Sequence, residues 1–148
     1  MNKGIELKNI SKVYSPAAKI ENIHFSVGKG EIVALCGGNG AGKSTIIKIL
    51  TGIIKQSDGV ILLDGQPVDT ISKAYRTIFS YMPDDIVFPR QLTALEVLRF
   101  YSSLLGVEND RVMEILELVG LYDVKDKVIK QFSKGMQQRL SLGQALLG

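Results

Sequence analysis

Eight consecutive residues limit what this chain can be. Gly37-Gly38-Asn39-Gly40-Ala41-Gly42-Lys43-Ser44 fit the pattern G-x-x-x-x-G-K-[ST], with an aliphatic run, Glu31 to Cys36, on one side and a helical pattern on the other. In that helical pattern Ile46, Ile49, Leu50 and Ile53 recur at i, i+3, i+4 and i+7, which puts one apolar face on a helix. Glycines let successive backbone N–H groups turn inward around a polyphosphate, and the positive end of the helix that follows adds favourable potential for an anion. The spacing then predicts that Lys43 reaches the β- and γ-phosphates. The Ser44 hydroxyl becomes the expected protein ligand to Mg²⁺, and Thr45 supports the α-phosphate. A glycine-rich surface turn is the alternative, and the strand and helix that flank the loop argue against it.

The remaining segments can be ordered around that loop. Ile5 to Tyr14 and Ile20 to Val27 are rich in β-branched and aliphatic residues and are predicted strands, as is Glu31 to Cys36; Ser15-Pro16 and Gly28-Lys29-Gly30 break them. Val60 to Leu63 followed by Asp64-Gly65 and then Gln66-Pro67-Val68 predicts a tight hairpin. Ile78 to Met82 is expected to be a further buried strand, ended by Pro83-Asp84-Asp85. From Thr93 the pattern turns helical: Thr93 and Glu96 have capping-box spacing, and Val97, Phe100, Tyr101 and Leu104 are expected to share a face. Val112, Ile115, Leu116 and Val119 mark a second helix. Ser133 is placed to cap a third, in which Leu142, Ala145 and Leu146 would form the apolar side.

Composition narrows the function classes. The 148 residues, 45% of them hydrophobic and 22% charged, suit one globular domain, and the net charge of +3 comes from basic residues scattered along the chain, so no nucleic-acid partner is expected. No apolar run is long enough to span a bilayer and no signal-peptide pattern opens the chain, which predicts a cytoplasmic location. Cys36 is the only cysteine and is expected to be buried in its apolar run; His24, in a predicted strand, is expected to be a non-catalytic core or surface residue.

A phosphate loop leaves several nucleotide-binding families open, and a second motif separates them. Phe132-Ser133-Lys134-Gly135-Met136-Gln137-Gln138-Arg139-Leu140 resembles the ABC signature, L-S-G-G-Q followed by Q-Q-R, keeping the serine, the second glycine and the Gln-Gln-Arg tail. The resemblance runs through the whole chain. It implies an α/β fold, the P-loop NTPase ABC-type nucleotide-binding domain, with a parallel core sheet, a small antiparallel β part and a helical subdomain, incomplete after the signature helix. Residues 1–82 would hold the antiparallel part and Walker A loop, residues 83–132 the Q-loop and helical subdomain, and residues 133–148 the signature and the start of its helix.

The same resemblance implies site roles. Gly37 to Thr45 would be the Walker A loop, Tyr14 would either stack on adenine or be an ordinary half-buried strand aromatic, and Ser133, Lys134, Gly135, Met136 and Gln137 would face the ATP of a partner subunit. Ser133 could serve as a plain helix cap at the same time. Asp84 stands where the family has the Q-loop glutamine, and Lys134 and Met136 replace the usual glycine and glutamine; Asp84 would approach Mg²⁺ through a water or act only as a turn residue. The implied function is the ATP-binding subunit of an ABC transporter, similar to bacterial drug or ion exporters. A dimer of such subunits would couple MgATP binding and hydrolysis to membrane permease subunits from the inner face of the membrane. A non-transport ABC ATPase and a truncated, non-hydrolysing fragment are the alternatives. Beyond Lys43 no catalytic residue is expected in this chain, because the family's Walker B aspartate, catalytic glutamate and switch histidine would follow Gly148. Their absence predicts an inactive ATPase whose sheet edge is left uncovered.

Overall fold

The computed structural model describes residues 4–83 and 86–148, which divide into two compact units meeting in sequence at Phe79 and Ser80. In the first unit a four-stranded antiparallel sheet has the order β2-β1-β3-β4, built from β1 (Ile5–Ser15), β2 (Ala18–Val27), β3 (Asp58–Leu63) and β4 (Gln66–Pro67). The turn between β3 and β4 has positive φ at both Asp64 (52°) and Gly65 (83°), the conformation that Asp-Gly favours in a two-residue hairpin.

β1 does not keep the strict alternation of a strand. Leu7 and Ile10 are both fully buried although three residues apart. The register explains this: Leu7 pairs with Phe25 and Ile10 with Ile23, so β1 spends one residue more than β2 over that stretch, and Asn9 takes it up at φ 52°. Such a bulge returns Ile10 to the face of Leu7. A second shift puts the extra residue on β2, between Ile23 and Ile20, which pair with Ile10 and Lys12. The face shared by Leu7, Ile10, Ile20 and Ile23 packs on Ile46 and Ile49 of α1 (Lys43–Leu50), with Ile61 from β3. The predicted helix thus forms, shorter at its C-terminal end than its periodicity suggested.

A short helix, α2 (Lys73–Arg76), was not foreseen from the sequence. Ser72 caps it by accepting the Tyr75 N–H at 3.2 Å. Its Tyr75 is buried, donates its hydroxyl proton to the Leu50 carbonyl at 2.8 Å and stacks near Phe79, which ties α2 to the end of α1. Burial pushes the Tyr75 phenol up to about 12.

Two predicted strands do not form. Glu31 to Cys36 and Ile78 to Met82 carry no strand pairing, and the parallel core sheet they were expected to build is absent among the described residues. Ile32 is 100% exposed, Val33, Leu35 and Ile78 are exposed, and Cys36, expected inside, lies at the surface. A parallel strand draws its neighbours from chain far away in sequence, and here neither segment meets one.

The second unit is helical: α3 (Ala94–Leu105), α4 (Asn109–Leu118) and α5 (Lys134–Ala145), with short 3₁₀ turns at Tyr122–Val124 and Ile129–Gln131. The capping box of α3 forms as read. Thr93 Oγ1 accepts the Glu96 N–H, and the Glu96 carboxylate accepts the Thr93 N–H at 2.7 Å, which holds that carboxyl below its ordinary range. Val112, Ile115, Leu116 and Val119 are buried as expected. Two faces are rotated from the expected ones. Ala94, Val97 and Leu98 fill the core while Phe100 and Leu104 are 58% and 66% exposed, and α5 buries Leu140 and Gly143 while Leu142 is exposed. For α5 the reason is local: Gly143, without a side chain, lets the helix approach Ile115 of α4 and Val119 at its C-terminal end, and that contact selects the inward side.

Candidate functional site

The phosphate loop follows the unpaired run Glu31 to Cys36 and ends as α1 starts. Gly40 and Gly42 hold φ of 82° and 90°, a left-handed backbone that favours glycine, and Gly42 is the residue before the helix. A Cβ on Gly42 would collide with Ile20 Cγ2 of β2, so glycine is required there by space as well as by conformation. At Gly38 and Gly40 a Cβ would meet nothing, so no other group crowds the loop at those two positions.

No side chain caps the N-terminus of α1, and its first turn carries no acidic residue. The terminal amides and the helix dipole are therefore directed at the loop without a competing carboxylate. The Lys43 ammonium lies on the loop itself, donating to the carbonyls of Gly37 at 2.7 Å and Gly38 at 2.8 Å, and the Ala41 N–H closes a turn onto Gly38 at 3.2 Å. Ser44 is exposed, Thr45 half-buried, and Asn39 and Ala41 lie at the surface. This arrangement suits a polyphosphate: a glycine loop, a positive helix end, and a cation that can exchange carbonyl oxygens for phosphate oxygens.

Tyr14, near the end of β1, is 58% exposed, and its ring lies 5.5 Å from the Lys12 ammonium. The Lys12 partner across the ladder is Ile20, the residue that meets Gly42, so this end of the hairpin borders the phosphate loop. Lys12 and Ile20 were not singled out by sequence reasoning; only the pairing register identifies them. His24 is exposed on β2.

The signature segment lies in the second unit. Ser133 caps α5, its Oγ accepting the Met136 N–H at 3.2 Å, and Ser133, Lys134 and Gly135 are exposed, with no acidic residue in the first turn. Met136 and Gln137 are half-buried, and the Gln137 amide donates to the Phe132 carbonyl at 3.3 Å. Arg139, in the tail of the motif, donates to the carbonyls of Val119 at 3.2 Å and Gly120 at 2.7 Å, so the signature helix is fastened to the end of α4. Its value as an anchor was not foreseen, although the motif contains it. Asp84 lies outside the described residues.

The sequence pattern of the ABC transporter family matches residues 20–148. The chain belongs to the ABC transporter family. Within that family it is similar to the lantibiotic transport ATP-binding protein SrtF of Streptococcus pyogenes, with 33% identity over 143 residues, covering 97% of this chain and 61% of that protein. A solved structure of an ATP-binding subunit of an ABC transporter superposes with a TM-score of 0.78 at 32% identity, over 97% of this chain and 61% of the other. The structure of cbiO1 from Clostridium perfringens, part of the ABC transporter complex cbiONQ, superposes with a TM-score of 0.82 at 26% identity, over 99% and 62%. This ABC chain therefore spans about three-fifths of the length of those relatives, and it carries the antiparallel β part and helices of the ATP-binding domain. No helix among its described residues is long and apolar enough to cross a membrane.

Proposed function

We propose that this ABC chain is the nucleotide-binding part of an ATPase subunit that acts with membrane permease subunits, of the bacterial drug or ion exporter kind. It would work from the inner face of the membrane. The observation that carries the reading is the glycine loop, uncrowded at Gly38 and Gly40, ending at an uncapped helix terminus with Lys43 bound to its carbonyls. On this reading Gly37, Gly38, Asn39, Gly40, Ala41 and Gly42 wrap the phosphates with backbone N–H groups. Lys43 neutralises the β- and γ-phosphates, and Thr45 steadies the α-phosphate.

ATP is the substrate, and Mg²⁺ would supply charge neutralisation of its phosphates. Ser44, exposed at the first turn of α1, presents a hard hydroxyl oxygen suited to that ion, and Asp84 is proposed as a second contact. Tyr14 offers a ring face to the base. Ser133, Lys134, Gly135, Met136 and Gln137 form the start of α5 that would meet the nucleotide of a second ATPase subunit, in a homodimer or a heterodimer. An exposed helix terminus without acidic residues favours such an anion. Residues 1–82, 83–132 and 133–148 would accordingly serve as nucleotide cradle, coupling segment and signature. SrtF, named for lantibiotic transport, supports the exporter class.

Titration calorimetry with MgATP tests the core of this reading. Lys43→Ala is expected to weaken binding roughly 10- to 100-fold, the loss of a charged hydrogen bond worth about 1.5 to 3 kcal/mol. Unchanged affinity in a variant with native circular dichroism would refute the phosphate-loop assignment.

A further inference from the structure

The end of β1 carries a cation whose position the phosphate chemistry does not explain. Lys12 lies on the sheet face that packs against α1, because its ladder partner is Ile20 and Ile20 meets Gly42 at the start of that helix. Its ammonium donates to the Lys55 carbonyl at 2.7 Å in the segment that follows α1. The same segment runs along β1: the Ser57 N–H bonds the Ser11 carbonyl at 2.8 Å, and the Val13 N–H bonds Ser57 Oγ at 3.1 Å. Between those anchors the ammonium lies 5.5 Å from the centroid of the Tyr14 ring, within the range of a cation–π contact. Among the described residues no carboxylate pairs with Lys12.

We propose that Lys12 is a positioning residue for base recognition: it clamps one face of the Tyr14 ring against the segment after α1 and leaves the opposite face to stack on the purine of the nucleotide. The inference rests on the proposed role of Tyr14 in ATP binding and adds to it the device that orients the ring. The ring would otherwise be a loosely held aromatic, since Tyr14 is 58% exposed. A cation held behind one face also draws electron density from the ring, which strengthens stacking of a base on the other. Because the carbonyl of Lys55 fixes the ammonium, the contact survives in water better than a free surface lysine would allow.

The experiment compares ATP with inorganic tripolyphosphate, which has the phosphates and lacks the base, on the full chain by calorimetry. Lys12→Met keeps the aliphatic stem and removes the charge and donor. It is expected to weaken ATP binding about 2- to 5-fold and to leave tripolyphosphate affinity unchanged, while Lys12→Arg retains most of the ATP affinity. Equal weakening of both ligands by Lys12→Met would overturn the inference, because Lys12 would then hold the loop and not the ring. No change with either ligand would overturn it as well. Tyr14→Ala separates this from the underlying reading: if Tyr14→Ala leaves the ratio of the two affinities unchanged, the stacking role itself fails. The chain has no tryptophan, so Tyr14→Trp supplies a single reporter whose emission needs no nucleotide. Adding Lys12→Met to it is expected to shift that emission, and an unmoved spectrum would show that the ammonium does not contact the ring.

Discussion

Between Ala94 and Leu147 the apolar side chains of three helices close on one another, whereas between Ile32 and Leu35 a run of equal apolarity faces solvent. The helical unit has thirteen buried apolar residues in one cluster among those described; the cluster of the unit with the phosphate loop has five, Leu7, Ile10, Ile46, Ile49 and Ile61, although that unit is the longer of the two. The contrast follows from where partners come from. α3, α4 and α5 satisfy their own backbone and need only neighbours close in sequence to cover one face each. The antiparallel hairpins of the first unit likewise find partners a few residues away. Glu31 to Cys36 has the composition of a parallel strand, and such a strand depends on chain remote from it.

If the helical core is closed in this way, truncating one of its members has the largest effect. Leu98→Ala, at a fully buried site, is expected to lower stability by about 2 to 5 kcal/mol in urea unfolding followed by helical circular dichroism. A loss under 1 kcal/mol would mean that the core is looser than its burial indicates. Smaller, and at the edge of that unit, Ser133→Ala removes the cap of α5 and should cost about 1 kcal/mol by the same measurement.

In the first unit the tie between α2 and α1 offers a probe that depends on pH. The Tyr75 phenol is raised from 10.0 to about 12 by burial, so the folded state favours its neutral form. That contribution is complete below pH 10 and is lost as pH rises toward about 12. Tyr75→Phe is expected to lose about 1 kcal/mol at neutral pH, with the hydrogen bond to Leu50, and to flatten this alkaline decline. An equal decline in both proteins would assign it to other groups. The smallest effect belongs to the open run: Ile32→Ser should change stability by less than about 0.5 kcal/mol, since the side chain is 100% exposed. A large loss there would erase the contrast between the two regions.

What could be read in advance follows the same division. The Thr93 and Glu96 capping box, the Asp64-Gly65 turn, the Ser133 cap and the helix that starts after Gly42 are settled by residues within a few positions of each other, and each forms as its pattern predicts. Phe100, Leu104 and Leu142, expected on the inward faces, are exposed: periodicity alone does not say which side of a helix meets its neighbour, and Gly143 against Ile115 and Val119 decides that for α5. The bulge at Asn9, which turns Ile10 inward, and the pairing of Lys12 with Ile20 are matters of register between strands. Composition carries almost no trace of them.

The resting place of Lys43 bears on how fast a ligand could be captured. With its ammonium already bound to the carbonyls of Gly37 and Gly38, the lysine ties the two ends of the loop together before any phosphate arrives. An incoming anion then meets a preshaped turn and has only to exchange hydrogen-bond partners with one side chain. Association would be governed by encounter and by electrostatic attraction, and would slow with added salt, whereas a loop that had to order itself around its ligand would bind slowly at any ionic strength.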